Sequence, residues 1–248
     1  MNKLKFLNHA CFMCETNEFI ILCDPWLEGA AFNNGWALLD SSTTNDLLLD
    51  ELSRTQKKIY IWYSHEHSDH FAIPFLKKLK EIKPETKFFF QTTEDERVVS
   101  FLRGNNFDVE VLKDGQVATL SNNSWISISS WKSGDSLSVL SIEGSTILNL
   151  NDCIISKDED CNKIKSLLLD LKIKNLDILF TQFGYANWCG NEDDVKEYIY
   201  KTSGEEIKYT SNNVNYDTFK SFAVKAIMTS NNVTVVPKVR DIRIIALD

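Results

Sequence analysis

Apolar residues open the chain in short runs broken by polar turns. Residues 3–7, 12–15 and 19–23 read as three strands, and Asp24-Pro25-Trp26 ends the third because proline brings no N–H to a ladder. A loop rich in Gly, Asn and aromatics follows over 27–39. Residues 45–54 carry a helical pattern with Thr43, Thr44 or Asn45 as its cap. The uninterrupted apolar run Ile59-Tyr60-Ile61-Trp62-Tyr63 marks a strand covered on both faces. A polar loop spans 64–70, and Ile73, Phe75, Leu76, Leu79 and Ile82 give 73–82 helical spacing. Phe88-Phe89-Phe90 is a second doubly buried strand, followed by a helix over 94–103 that Gly104 stops.

The middle of the chain turns β-rich. Strands are predicted over 109–112, 116–120, 125–131, 137–143 and 146–150, joined by tight Asp-Gly, Asn-Asn, Gly-Asp and Glu-Gly-Ser turns. Helices at 163–171, 192–201 and 219–228 then alternate with strands at 176–180, 233–236 and 242–247. No Pro/Ser-rich linker interrupts the sequence, so one domain over 1–248 is expected. Strands and helices in both halves predict an α/β architecture of two mixed sheets packed face to face with helices outside.

Composition narrows the function more than the fold. An apolar share of 43 % and a charged share of 25 % suit a folded domain with a sizeable core. The balance of 27 Lys+Arg against 35 Asp+Glu leaves a net charge of −8, without the positive field that a phosphate backbone attracts, so no nucleic-acid partner is expected. No apolar run approaches the ~18–20 residues that span a bilayer, so no membrane partner is expected either. Met1-Asn2-Lys3-Leu4-Lys5 leads to polar Asn8 and His9 with no apolar signal segment, and a cytoplasmic location is the expectation. The six cysteines do not form a disulfide scaffold, and Cys11, Cys14 and Cys23 sit in strand-like runs as small hydrophobes. The sequence also lacks the paired Cys-x-His sets of a Rieske cluster.

One segment stands apart: Tyr63-Ser64-His65-Glu66-His67-Ser68-Asp69-His70, which holds three of the four histidines. In an extended loop, residues i and i+2 point the same way, so His65 and His67 can converge on one cation. Asp69 and His70 can face a second cation nearby. Imidazole and carboxylate are donors that zinc, iron and manganese share. Glu66, between the two histidines, is expected to face solvent.

The pattern His-x-His-x-Asp-His resembles the hallmark of the metallo-β-lactamase fold superfamily, an αββα sandwich with its site at one edge of the two sheets. Phe6-Leu7-Asn8-His9-Ala10-Cys11-Phe12 and Ile20-Ile21-Leu22-Cys23-Asp24-Pro25-Trp26-Leu27 are similar to the first hairpin of the branch with a "His-Ala … Asp-Pro" signature. Leu148-Asn149-Leu150-Asn151-Asp152-Cys153 is similar to the strand end that supplies a metal-bridging aspartate. More narrowly, the stretch from Asp24 to Trp36, Asn151-Asp152-Cys153 and Tyr185-Ala186-Asn187-Trp188 resemble the corresponding domain of the CMP-N-acetylneuraminate hydroxylase family.

The resemblance implies a site for Zn or Fe. His65, His67 and Asp152 would hold one ion, and Asp69, His70 and the same Asp152 the other. The chain departs from the pattern in two places. Where the third histidine is expected it has Ser129-Ser130-Trp131-Lys132-Ser133-Gly134, and Val235-Val236-Pro237 is followed by Lys238-Val239-Arg240 in place of a last histidine. Two ions, one weakly held ion and an empty site therefore all remain open, and the family's C-terminal portion is expected to be missing. His9 is read either as a proton-transfer or substrate group at the site mouth or as a satisfied core histidine. Asp24 is read as orienting a ligand or as ordinary turn chemistry before proline. Trp26, Trp36 and Trp188, with Phe32 and Asn187, either wall a pocket or pack. Lys132 and Lys238 stand where histidine would be expected and are read as contacts for an anionic substrate.

Three functions follow as expectations. The first is a metal-dependent hydrolase in which Asp69 takes a proton from water. The second is iron-dependent oxidation of a nucleotide sugar with a separate Rieske electron-transfer partner. The third is a binding module that has lost its metal. The substrate is expected to be a small molecule, anionic or a nucleotide sugar.

Overall fold

The structure is a computed structural model, and it describes residues 3–32, 36–38, 40–181, 210–211 and 214–215. The chain divides into two units, Met1–Ala186 and Asn187–Asp248. In the second, the described residues form strands β14 (Thr210–Ser211) and β15 (Val214–Asn215), paired antiparallel. The helices at 192–201 and 219–228, the strands at 233–236 and 242–247, and the candidates Asn187, Trp188 and Lys238 fall outside the described residues.

The first unit is built on two sheets. β1 (Lys3–Asn8), β2 (Cys11–Glu15), β3 (Phe19–Cys23), β6 (Lys58–Trp62), β7 (Lys87–Gln91) and β8 (Asp108–Leu112) lie side by side in that order. The first three are antiparallel, and β3 to β8 run parallel. The second sheet has the order β13-β12-β11-β10-β9, made from β13 (Ile178–Phe180), β12 (Ser145–Asn149), β11 (Ser136–Ile142), β10 (Ser124–Ser130) and β9 (Val117–Ser121).

The apolar runs owe their unbroken character to burial on both faces. Along β3, Phe19, Ile21 and Cys23 point between the sheets while Ile20 and Leu22 point out to the helices. Tyr60 and Trp62 against Ile59 and Ile61, and Phe89 against Phe88 and Phe90, divide in the same way, as the period-two alternation of a strand requires. The inward set meets Ala118, Leu120, Ile126, Ile128, Leu140, Ile142 and Ile147 of the second sheet. Helices α1 (Asn45–Arg54), α2 (Ile73–Ile82) and α3 (Arg97–Gly104) cover the outside of the first sheet through Leu48, Leu52, Phe75, Leu79, Val98 and Leu102. Helix α4 (Asp158–Asp170) covers the second with Ile164, Leu167 and Leu168 against Trp131, Val139 and Leu148. The expected αββα sandwich is thus the observed one.

Local differences have local causes. Thr44 caps α1, its side chain accepting from the Leu47 N–H. Helix α4 begins five residues before the apolar period does, because Asp158, Glu159 and Asp160 favour a helix N-terminus and carry no hydrophobic signal. The aromatic loop contains a short ladder, β4 (Ala30–Ala31) with β5 (Trp36–Ala37). No helix among the described residues is long and apolar enough to cross a membrane.

Burial also fixes thiol chemistry. Cys11, Cys14 and Cys23 are 0 % exposed, and loss of solvation raises the Cys14 thiol to about 12 and the other two well above their usual range. Because the thiolate is the nucleophile, these three should resist iodoacetamide in the folded protein while exposed Cys161 reacts. Peptide mass mapping after a timed pulse, with and without denaturant, checks this.

Candidate metal centre

The candidate site is assembled from loops at one edge of the sandwich: the β1–β2 turn, the ends of β3, β6 and β12, and the link from β10 to β11. At its base lies Asp24, 0 % exposed and directly after β3. Its carboxylate accepts from the Ser64 N–H (2.8 Å), the Ser64 hydroxyl (2.7 Å), His70 Nδ1 (3.0 Å) and Asn151 Nδ2. The backbone turns sharply here, with φ of 41° at Asp24, 47° at His9 and 48° at Asn151. Asp, His and Asn are among the few non-glycine residues that enter this left-handed region readily, and such residues collect at functional sites.

Ser64 transmits this arrangement. Its single hydroxyl proton goes to the acceptor-only Asp24 carboxylate, so its oxygen must accept from His65 Nδ1 at 2.8 Å. His65 therefore carries its proton on Nδ1 and turns the lone pair of Nε2 toward the centre. Burial and the neighbouring His70 push His65 down to about 4, which keeps that ring neutral. The Ser64 carbonyl is held from below by the Ser136 hydroxyl (2.6 Å) and Gln91 Nε2 (3.1 Å). His67 returns the loop on itself: its carbonyl accepts from the N–H groups of His70 (3.0 Å) and Phe71 (2.8 Å).

Donor atoms converge in the space above. His65 Nε2 lies 2.8 Å from His67 Nδ1, 4.0 Å from Asp152 Oδ2 and 3.9 Å from Asp135 Oδ1. His70 Nε2 lies 3.3 Å from Asp152 Oδ2 and 3.5 Å from Asp69 Oδ2. His70 Nε2 is fully buried yet makes no hydrogen bond, and neither does Asp69 Oδ1. Burial opposes a charge on His70, but the Asp24, Asp152 and Asp69 carboxylates around it win and raise it well above the usual histidine range. Burial likewise opposes ionisation of Asp69, and the His70 and His9 rings overcome it, holding its carboxyl well below the usual range. His9 Nε2 is 3.0 Å from Asp69 Oδ2 and its side chain is 32 % exposed, so it joins this pair to solvent.

These atoms fit a divalent cation. Donors about 2.1 Å from one ion stand about 3.4 Å apart at tetrahedral angles and about 4.2 Å apart on opposite sides; the carboxylate-to-imidazole separations of 3.3–4.0 Å lie near that range, whereas the 2.8 Å contact of His65 Nε2 with His67 Nδ1 is a hydrogen bond that an ion would replace. His65, His70 and Asp152 form one candidate group and His9, Asp69 and His70 another. With Nδ1 of His70 facing Asp24, its Nε2 would give up its proton to a bound ion and turn a lone pair toward the space between Asp69 and Asp152. The structure brings His65, His67, Asp69, His70 and Asp152 together, with His9 beside them. It places Asp24 beneath His70.

Other candidates lie elsewhere or act differently. Trp26 is buried and packs edge-on against His9 (5.2 Å between centroids). Phe32 bridges Trp36 (5.2 Å) and His67 (5.8 Å), giving the mouth an aromatic flank. Lys132 pairs with Asp160 in the first turn of α4 and lies 5.9 Å over the Trp131 ring. Reading the sequence missed Ser64, Gln91, Asn151, Ser136 and Asp135. Their types are ordinary in turns and strand ends, and Asp135 carried one signal: it directly follows the stretch from which the third histidine is missing.

An αββα sandwich with His-x-His-x-Asp-His at the edge, joined by an aspartate after a strand of the second sheet, defines the metallo-β-lactamase class of fold. The model of the beta-lactamase superfamily domain matches residues 3–157, and the chain belongs to that family. Among curated relatives, cytidine monophosphate-N-acetylneuraminic acid hydroxylase of Cricetulus griseus is 36 % identical over 92 residues, 37 % of this chain and 16 % of the relative. The Sus scrofa hydroxylase is 38 % identical over 86 residues, 35 % of this chain and 19 % of the relative. The matched segment thus spans less than a fifth of either. A solved structure of a CmlA beta-hydroxylase variant has a TM-score of 0.53 at 15 % identity, covering 71 % of this chain and 34 % of that one, a likeness of fold.

Proposed function

We propose that the chain is a metal-dependent hydrolase acting on a small, anionic molecule. The observation that carries this reading is the buried, unbonded Nε2 of His70 among His65, Asp69 and Asp152. His65, His67, Asp69, His70 and Asp152 would hold one or two zinc or iron ions. Bound there, a divalent cation lowers the pKa of water toward about 7 and polarises the scissile bond. Asp69 would accept the proton, and His9, hydrogen-bonded to it and partly exposed, would carry it away. Trp26 fixes the His9 ring from the side, while Phe32 and Trp36 offer a face for a planar or apolar part of the substrate. Asp24 and Ser64 take no part in bond making. They fix the rings of His70 and His65.

A second reading is favoured by the similarity to the hydroxylases: iron-dependent oxidation of a nucleotide sugar, with electrons from a separate partner protein. Protein purified without chelator is expected to contain zinc, iron or manganese by plasma mass spectrometry, to lose it in His67→Ala, and to cleave a member of a phosphodiester and lactam panel. Oxygen uptake with an added reductase, without hydrolysis, would favour the second reading. Failure to bind any of these metals, even after reconstitution, would sink both and leave a metal-free binding module.

A further inference from the structure

Resting on the metal-centre reading above, we infer that Asp135 is a further metal ligand, a carboxylate standing where the family's third histidine is missing. The case is geometric. Asp135 lies in the link between β10 and β11, and its Oδ1 is 3.9 Å from His65 Nε2. That is nearly the separation between the same nitrogen and Asp152 Oδ2, 4.0 Å. His67 Nδ1 approaches His65 Nε2 to 2.8 Å. Asp135 would add a carboxylate beside His65 to the donors that side of the centre offers an ion. On the far side, the unbonded and fully buried Nε2 of His70 shows that the cluster is aimed at a ligand and is not a chance gathering of acids.

The link is built to hold this carboxylate in position. Lys132–Gly134 form a single tight turn. Trp131 N–H donates to the Asp135 carbonyl at 2.7 Å, and Asp135 N–H to the Lys132 carbonyl at 3.3 Å. Gln91 Nε2 donates to the Gly134 carbonyl and to the Ser64 carbonyl, so one amide ties the turn to the residue before His65. Ser136, directly after Asp135, donates to that same Ser64 carbonyl. The Asp135 side chain is 12 % exposed. Burying a carboxylate against a second one is costly unless a cation or strong donors compensate. Supplying the third position by oxygen also makes the set richer in carboxylate, which shifts relative preference from zinc toward manganese and iron.

Titration of the full chain with Mn(II) and Zn(II), followed by calorimetry and equilibrium dialysis, tests the inference. Asp135→Asn should bind Mn(II) at least ~10-fold more weakly, since even residues that only support ligands cost about 10–100-fold. Asp135→His should restore binding and raise the Zn(II)-to-Mn(II) affinity ratio at least ~10-fold. Wild-type affinity in Asp135→Asn, or an unchanged ratio in Asp135→His, would overturn it. The histidine variant carries the test if the asparagine variant does not fold. If the wild type binds metal and His67→Ala does not, while Asp135→Asn binds normally, the Asp135 assignment alone fails. If the wild type binds no metal, the metal-centre reading fails with it.

Discussion

Asp24→Asn is expected to destabilise the metal-free protein by about 3 kcal/mol, a large part of the 5–15 kcal/mol that holds an ordinary domain folded. The carboxylate accepts from four groups, two on Ser64 and one each on His70 and Asn151, and all of them are buried. Asparagine keeps one carbonyl oxygen but turns an N–H₂ toward donors, so at least one buried donor loses its partner. It also removes the charge that Asp24 sets against His70. Breaking a buried pair at one end costs more than the pair contributes, because the other end stays uncompensated. Asparagine tolerates the φ of 41° at this position, so the substitution isolates the carboxylate from the backbone. Urea unfolding should show a lower midpoint with an unchanged slope. Wild-type stability would mean that the four bonds carry no net weight. Metal affinity should fall too, because the His70 and His65 rings lose the contacts that orient them.

The network around Asp24 also shows what the sequence could and could not reveal. The sandwich was legible because its central strands are unbroken apolar runs with no solvent face to pattern, as at Ile59 to Trp62. The candidate metal loop was legible because its His and Asp residues are close together in the chain. Asp152 and Asp24 were legible only through the family likeness. Ser64, Asn151 and Gln91 were not, since their roles depend on partners far away: 40 residues from Ser64 to Asp24, 127 from Asn151 to Asp24, and 43 from Gln91 to Gly134. The pairing of Lys132 was hidden for the same reason, its partner Asp160 lying 28 residues on, in a helical turn that the apolar period does not mark. A lone aspartate at 135 has no pattern to announce it until folding brings β11 beside Ser64.

Asp152→Asn should behave in the opposite way to Asp24→Asn, keeping the fold and losing the metal. Asp152 is 29 % exposed on its side chain, and its Oδ2 lies 4.0 Å from His65 Nε2 and 3.3 Å from His70 Nε2. It therefore faces both halves of the donor set. The carboxylate stands close enough to Asp135 for the two charges to interact: burial first, and then Asp152, raise Asp135 to about 6. Removing one of two crowded acids relieves that repulsion and offsets part of what is lost with the ion pair to His70, so the metal-free variant should melt below the wild type by less than Asp24→Asn does. Binding should suffer on both sides of the site at once. A loss of more than ~100-fold in affinity is expected, beyond the range for residues that only support ligands. An ion present at 100 times its dissociation constant stabilises a folded protein by about 2.7 kcal/mol. The wild type should show a rise in melting temperature with added Mn(II) or Zn(II), and Asp152→Asn should show none at the same concentration. On the proposed hydrolytic function, turnover should fall in parallel, because without the ion Asp69 and His9 would have no activated water to deprotonate. A variant that keeps its metal-induced shift would remove Asp152 from the ligand set and confine the ions to the His65-His67 and Asp69-His70 pairs.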